Sequence, residues 1–159
     1  MTEAEHALEV TTPSAREIVM TRVFAAPRDL VFDAFTKPEV IRRWLLGPDG
    51  WSMPVCDVDL RVGGTLRYEW RNDADGRQFG TGGVYREIAR PARVVHAERM
   101  DGAPGEALVE TAFTERDGAT TVTMTILYES REIRDMALES GMAGGVGMSF
   151  DRLAGILAA

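Results

Sequence analysis

Between Trp51 and Glu129 apolar residues recur at every second position, and this stretch most constrains how the chain can fold. Leu66, Tyr68 and Trp70 alternate with charged residues, the pattern of a strand with one buried face. Turn signals divide the stretch at Gly63-Gly64, Asp73–Gly76, Arg90-Pro91, Asp101–Gly105 and Asp117-Gly118. The stretch therefore predicts six antiparallel strands in a meander, whose apolar face another element must cover.

The segment before the meander predicts one strand and two short helices. Arg16 to Ala25 is rich in β-branched residues and is typical of a strand. Pro27 suits the first turn of a helix, where its missing N–H costs little. Thr36 and Glu39 have the spacing of a capping box, which predicts a second helix that begins at Thr36. Gly47 to Gly50 should end that helix.

The last thirty residues, Ser130 to Ala159, predict the helix that covers the sheet. An apolar stripe with helical spacing consists of Met142, Val146, Phe150, Leu153 and Leu157. Glycines stand at 141, 144, 145 and 147, and each costs a helix interior about 1 kcal/mol relative to alanine. They indicate either a break near Gly141 or a helix face kept thin above a cavity.

The order of elements predicts an α+β fold. A curved antiparallel sheet of about seven strands would wrap around a long C-terminal helix, with two short helices between strands one and two. Residues 1–15, including His6, show no sustained period and are predicted to be a flexible tail. Residues 16–159 are predicted to form a single domain, since the length fits one and no linker interrupts it.

Several local motifs resemble a known family. They are Arg22-Val23-Phe24 with Ala26-Pro27, Val31 to Thr36, Arg43-Trp44 with Gly47-Pro48, Asp59 to Gly64, Gly83 to Ile88 and Ser149 to Leu153. With the order of elements, they resemble the helix-grip proteins of the START-like, or SRPBCC, superfamily. The branch they resemble is named for the C-terminal domain of the heat-shock-protein-90 ATPase activator, and its members are called polyketide-cyclase-like. The resemblance implies a deep apolar cavity between sheet and helix, able to hold a lipid, a polyketide or a flavonoid-like molecule.

Charge and composition exclude several classes of function. The net charge of −7 disfavours nucleic acid and anionic lipid, which both require a basic surface. No apolar run approaches the ~20 residues of a membrane span, and the N-terminus lacks the order of a signal peptide. We therefore expect a cytoplasmic protein. One cysteine, Cys56, and two histidines cannot make a usual structural zinc site, so we predict neither metal nor cofactor.

His96 and Glu98 are the most informative polar pair. Arg93, Val95, Ala97 and Arg99 share the other face of their strand, and the two arginines should face water, which turns His96 and Glu98 inward. An inward carboxylate is costly unless it is paired or hydrated, so it indicates a wet or ligand-filled interior. Such a pair could act as acid and base. The structural alternatives are a reversed alternation or an ion pair between Glu98 and an arginine.

The candidate ligand-binding residues combine this pair with inward aromatic and sulfur-containing side chains. They are Trp44, Trp51, Tyr68, Trp70, His96, Glu98, Phe113, Met124, Met142 and Phe150. Phe79, Tyr128 and Met148 are further candidates for the wall. For any one of the aromatic and methionine residues, ordinary core packing is favoured over contact with a ligand. Cys56 is predicted to be a small buried hydrophobe, and Gly80 to Gly83 a bulge or bend of the sheet.

Three functions remain open from the sequence. The leading hypothesis is the binding of a small hydrophobic ligand without catalysis. The second is an enzyme of the cyclase or aromatase type, with His96 and Glu98 as proton shuttles. The third is a module that regulates a chaperone in a stress response, or that binds another protein partner. The resemblance is also compatible with a homodimer.

Overall fold

The computed structural model describes residues 7–158, which form one eight-stranded antiparallel sheet and four helices. The strands are β1 (Glu9–Thr11), β2 (Glu17–Phe24), β3 (Trp51–Val58), β4 (Thr65–Asn72), β5 (Gln78–Ala89), β6 (Arg93–Met100), β7 (Ala107–Arg116) and β8 (Ala119–Leu127). Their spatial order is β1-β2-β8-β7-β6-β5-β4-β3. Strands β3 to β8 form the predicted meander, and β2 lies beside β8, with which it pairs along its whole length.

The four helices lie at two places in the chain. The helices α1 (Arg28–Thr36) and α2 (Pro38–Trp44) join β2 to β3, as predicted. After β8 come α3 (Arg131–Glu139) and α4 (Met142–Leu157). Ser130 caps α3, because its side chain accepts a hydrogen bond from the backbone N–H of Ile133. Among residues 7–158, no helix is long and apolar enough to cross a bilayer.

Helix α4 covers the apolar face of the sheet and confirms the predicted helix-grip arrangement. Phe150 and Leu153 of its stripe are fully buried, in a cluster with Phe24 of β2 and Trp44 of α2. At the rim of this contact, the buried Arg22 of β2 forms an ion pair with Asp151 of α4. The sheet, α2 and α4 therefore share one core.

The glycines of the last segment produce both a break between helices and a thin helix face, the two alternatives that the sequence left open. Gly141 has a φ of +81° and separates α3 from α4, so the break lies where it was predicted. Within α4, Gly145 has only the Pro48 side chain nearby, since a Cβ atom at Gly145 would lie 3.8 Å from Pro48 Cδ. That face of the helix is therefore thin.

Two predictions about the N-terminal half are wrong. Residues 9–11, expected within a flexible tail, form the edge strand β1, which pairs with Val19 to Thr21 of β2. The sheet thus has eight strands rather than about seven. Residues 1–6, with His6, lie outside the described part. Thr36 does not cap α2: its hydroxyl donates to the carbonyl of Phe32 at 2.9 Å, and Lys37 is the N-cap. The extended conformation of Lys37 is the one favoured before a proline.

The β-bulge of β5 follows its glycines rather than coinciding with them. Register between β5 and its neighbours is continuous from Gly80 to Gly83, and the bulge lies between Tyr85 and Glu87. Gly83 is required for another reason. A Cβ there would lie 2.5 Å from the carbonyl oxygen of Ala97, so only glycine fits beside β6.

Candidate functional site

A cavity of about 560 Å³ lies between α4 and the apolar face of the sheet. Three parts of the chain enclose it: strands β3 to β8, the helices α1 and α2 with the loop after them, and the junction of α3 with α4. The volume is within the range of pockets that hold drug-sized molecules. Its wall is mostly apolar, and the titratable side chains in it lie on β4, β5 and β6.

All ten candidate residues from the sequence border this cavity: Trp44, Trp51, Tyr68, Trp70, His96, Glu98, Phe113, Met124, Met142 and Phe150. Their contact with a ligand stays a prediction. Phe79 also borders the cavity, whereas Met148 of α4 points away and is 51% exposed. Tyr128 lies behind the wall, where its hydroxyl donates to the sulfur of Met142 at 3.5 Å.

Sequence reasoning missed several lining residues, namely Thr81, Tyr85, Thr111, Ser149 and Met100. A signal for some of them was present. Thr81 and Tyr85 share the alternation of Phe79 on β5, and Thr111 shares that of Phe113 on β7. The glycines of β5 obscured the alternation there, because they leave every second position without a side chain to assign.

Aromatic rings close the inner end of the cavity. The ring of Phe35 lies 4.8 Å from that of Trp44, 5.4 Å from Phe113 and 5.7 Å from Phe150. The Trp44 indole N–H donates to the carbonyl of Ala34 at 2.9 Å, so its polar atom is satisfied within the protein. This end therefore offers a ligand only apolar and aromatic surface.

The opposite end of the cavity opens to solvent beside a second aromatic group. Trp70 stacks on Phe79 with 5.0 Å between ring centres, and Trp51 meets Phe79 edge-on at 5.4 Å. The Trp70 N–H donates to the carbonyl of Leu45 at 2.7 Å, which fixes its ring against the loop after α2. Phe79 and Met100 are 40% and 48% exposed, so they mark the entrance.

His96 and Glu98 face the cavity, and the structure excludes the reversed alternation. The Nε2 atom of His96 lies 3.3 Å from Oε1 of Glu98, and these side chains are 15% and 29% exposed. Arg93 lies on the outer face, where it pairs with Glu87 and Glu110 rather than with Glu98. The carboxylate is thus presented to the interior beside a single imidazole.

Small residues flank Glu98 on both neighbouring strands. Its register partners are Gly83 on β5 and Ala107 on β7. Neither has a polar side chain, so the sheet supplies no hydrogen-bond donor from these two positions. Among the described residues, His96 is the side chain that hydrogen-bonds Glu98, and the Glu98 carboxylate borders the cavity.

Burial raises the pKa values of the tyrosines in this region. It raises the pKa of Tyr68 well above its ordinary value, and the nearby Tyr85 and Glu98 add to that effect. It also raises the pKa of Tyr85 to about 12. The pKa of Tyr128 rises to about 12, first through burial and then through Glu98. These phenols are therefore neutral hydrogen-bonding groups near neutral pH.

Thr81 is the least satisfied polar group of the wall. Its side chain is 3% exposed, and its hydroxyl finds no hydrogen-bond partner in the described part of the chain. A buried hydroxyl without a partner costs about 1–3 kcal/mol. Thr81 borders the cavity, but its hydroxyl oxygen is itself shielded from that space.

Other polar candidates lie away from this site. Cys56 is buried against α2, and burial raises the pKa of its thiol to about 11, so it is a poor nucleophile. Asp59 forms a surface ion pair with Arg61 at 2.8 Å. Within residues 7–158, no group of three His, Cys, Asp or Glu side chains converges as metal binding would require.

Comparison with known proteins found one matching family model and several solved structures with a similar fold. A family model described as "Activator of Hsp90 ATPase homolog 1-like protein" matches residues 25–158. A protein from Rhodobacter sphaeroides whose crystal structure is known has 30% sequence identity to this chain. The two structures superpose with a TM-score of 0.91, and the match covers 96% of this chain and 98% of that one. Comparison with curated proteins found no match.

Two further solved structures share the fold at lower identity. A protein from Mycobacterium smegmatis is 22% identical with a TM-score of 0.81, covering 94% of this chain and 97% of that one. An AHSA1-like protein from Aeromonas hydrophila is 21% identical with a TM-score of 0.73, covering 88% and 93%. At these identities the likeness concerns the fold alone.

Proposed function

This chain belongs to the family of Activator of Hsp90 ATPase homolog 1-like proteins, as its sequence motifs predicted, and we propose that it binds a small hydrophobic molecule. The observation that carries the proposal is the cavity of about 560 Å³ with its largely apolar and aromatic wall. Such a space costs a protein packing energy if it stays empty, and a ligand of matching size regains those contacts. A lipid, a polyketide or a flavonoid-like molecule has the required size and polarity.

The two ends of the cavity support this proposal in different ways. The entrance beside Phe79 and Met100 gives a ligand a route from solvent. The inner aromatic group gives it a surface whose polar atoms are already paired. We further propose that binding takes place in the cytoplasm, where the single thiol of Cys56 would stay reduced.

The test uses the three tryptophans of the chain, which all border the cavity. A bound molecule should change their fluorescence directly. Flavonoids, fatty acids and polyketides would be titrated while intrinsic fluorescence and thermal unfolding are followed. Saturable binding should raise the free energy of unfolding by about 2.7 kcal/mol at a ligand concentration of 100 Kd. No saturable fluorescence change and no thermal shift with any of the three classes would contradict the proposal.

A second candidate function is catalysis of the cyclase or aromatase type. One observation favours it: the imidazole of His96 lies 3.3 Å from the Glu98 carboxylate inside the cavity, where the pair could move a proton on a bound polyketide. The His96→Ala variant should then fold normally and fail to convert the molecule. Unchanged product formation by that variant would remove this candidate.

Regulation of a chaperone is a third candidate, and the description of the matching family is what favours it. A partner of this kind would bind the surface rather than the cavity. The assay is stimulation of a chaperone ATPase by the full chain. Stimulation that survives complete blocking of the cavity would favour this function over ligand binding.

A further inference from the structure

The charges that border the cavity are unbalanced. Among the described lining residues, Glu98 carries the only carboxylate, and no arginine or lysine borders the space. The other titratable groups there are His96, Tyr68 and Tyr85. Both tyrosines are neutral near neutral pH, and the His96 ring already faces Glu98 at 3.3 Å. A negatively charged ligand would therefore find no unshared cation.

The position of Glu98 makes it available to a ligand. Its neighbours across the sheet are Gly83 and Ala107, which neither fill the space above it nor donate to it through a side chain. Gly83 is fixed by close packing, because a Cβ there would lie 2.5 Å from the Ala97 carbonyl oxygen and 3.3 Å from Cγ of Leu66, so β5 can place no polar side chain beside Glu98 at this position. A carboxylate with free acceptor sites in an apolar cavity is stabilised by a hydrogen-bond donor.

A second unsatisfied group lies close to this carboxylate. Thr81 is paired with Met100, two positions along β6 from Glu98 and on the same face of the sheet. Its hydroxyl is buried and finds no partner among residues 7–158. Glu98 and Thr81 thus form one polar corner of the wall, and because the Thr81 hydroxyl oxygen is shielded, the Glu98 carboxylate is the group there that a ligand's polar end can reach.

We propose that the ligand of this cavity is an uncharged hydrophobic molecule whose hydroxyl group donates a hydrogen bond to Glu98, and that Glu98 excludes hydrophobic carboxylates. This inference rests on the proposed function and narrows it. Hydroxylated aromatic molecules of the flavonoid or polyketide type fit this corner. Free fatty-acid anions do not, because their carboxylate would meet that of Glu98 in a space of low polarity.

The test compares three probes that share one apolar frame: biphenyl, 4-phenylphenol and biphenyl-4-carboxylate. Dissociation constants would be measured near neutral pH by calorimetry and tryptophan fluorescence. We expect the phenol to bind about 10-fold or more tightly than the carboxylate, the ratio that a hydrogen bond to a charged group can supply. Biphenyl should lie between them, since it is neither attracted nor repelled.

Two variants locate the cause of the preference. Glu98→Gln keeps the shape of the side chain and removes its charge. The ratio of the dissociation constant of the carboxylate to that of the phenol should therefore fall several-fold. Glu139→Gln removes the same charge from the exposed end of α3 and should leave the ratio unchanged.

Equal or tighter binding of the carboxylate by the native protein, or a ratio that Glu98→Gln does not alter, would overturn the inference and leave ligand binding intact. Failure of all three probes together with the broader ligand screen would instead remove the proposed function and this inference with it.

Discussion

The buried hydroxyl of Ser149 accepts a hydrogen bond of 2.8 Å from the backbone N–H of Gly47. This contact joins α4 to the loop that follows α2. Arg152, one turn further along α4, donates to the carbonyls of Trp44 and Gly47 at 3.1 Å each. Since Gly47 and Pro48 border the cavity, these bonds hold one of its walls against the helix.

Loss of the Ser149 hydroxyl should destabilise the fold. The Ser149→Ala variant leaves the N–H of Gly47 without its partner, so we expect the free energy of unfolding to fall by about 1–3 kcal/mol. Ser140→Ala is the control, because that hydroxyl is exposed and bonds only to its own helix turn. Its effect should stay within about 0.5 kcal/mol. Equal losses in urea unfolding would show that the Ser149 contact does not stabilise the fold.

Phe150 should be the most costly residue of α4 to truncate. Its ring is fully buried and lies 5.6 Å from that of Phe24 and 5.9 Å from that of Trp44. Phe150→Ala should lower the free energy of unfolding by about 3–5 kcal/mol, through lost burial and the enlarged cavity. Met148→Ala, on the exposed side of the same helix, should cost about 0.5 kcal/mol or less. A small loss for Phe150→Ala in chemical denaturation would mean that α4 does not depend on this aromatic group.

Gly141 and Gly144 should respond in opposite directions to the same substitution. Gly141 has a positive φ, so Gly141→Ala should destabilise the protein by about 1–2 kcal/mol. Gly144 lies inside α4 with open space around it, so Gly144→Ala should stabilise by up to about 1 kcal/mol. Thermal unfolding of the two variants checks the sign. The same sign for both would contradict a break at Gly141.

Stability should fall at alkaline pH because buried acids keep their protons in the native state. Burial raises the pKa of Cys56 from 9.0 to about 11 and that of Tyr85 from 10.0 to about 12. Above pH 9 to 10 the unfolded chain therefore binds fewer protons than the native one, and the free energy of unfolding declines as pH rises towards 12. Each group contributes at most about 1.4 kcal/mol per pH unit in its window.

The Tyr85→Phe variant isolates one part of this alkaline effect. It removes a titrating group without removing the ring, so the decline between pH 10 and 12 should be shallower than in the native protein. Urea unfolding at several pH values gives the two slopes. Parallel slopes would show that Tyr85 ionises equally easily in both states.

The period-two alternation made much of the fold predictable. Strand β6 has the predicted bounds, Arg93–Met100, because turns flank it on both sides. The inward direction of His96 and Glu98 followed from Arg93 and Arg99, which share the other face of the strand and were expected to face water. The apolar stripe of α4 likewise indicated Phe150 and Leu153, which the structure buries completely.

The remaining features depend on contacts that local patterns do not encode. Strand β1 has three exposed residues and exists through its pairing with β2, so its residues show no period to detect. Thr36 has the spacing of a helix cap, yet it is the last residue of α1, and its buried hydroxyl donates to the carbonyl of Phe32 in the same helix instead. The unsatisfied Thr81 could not be inferred either, because it requires knowledge of every neighbouring donor and acceptor.

Filling the thin face of α4 should abolish ligand binding without unfolding the protein. A Cβ at Gly145 would meet only Pro48, and the position borders the cavity, so the ring of Gly145→Phe should occupy the space meant for a ligand. Gly144→Phe is the matched control, since Gly144 is exposed one position away. We expect the Gly145 variant to lose at least about 10-fold in affinity, more than about 1.4 kcal/mol, while the Gly144 variant binds normally. Circular dichroism should show both variants folded. Unchanged affinity in the Gly145 variant would mean that ligands bind elsewhere on the protein.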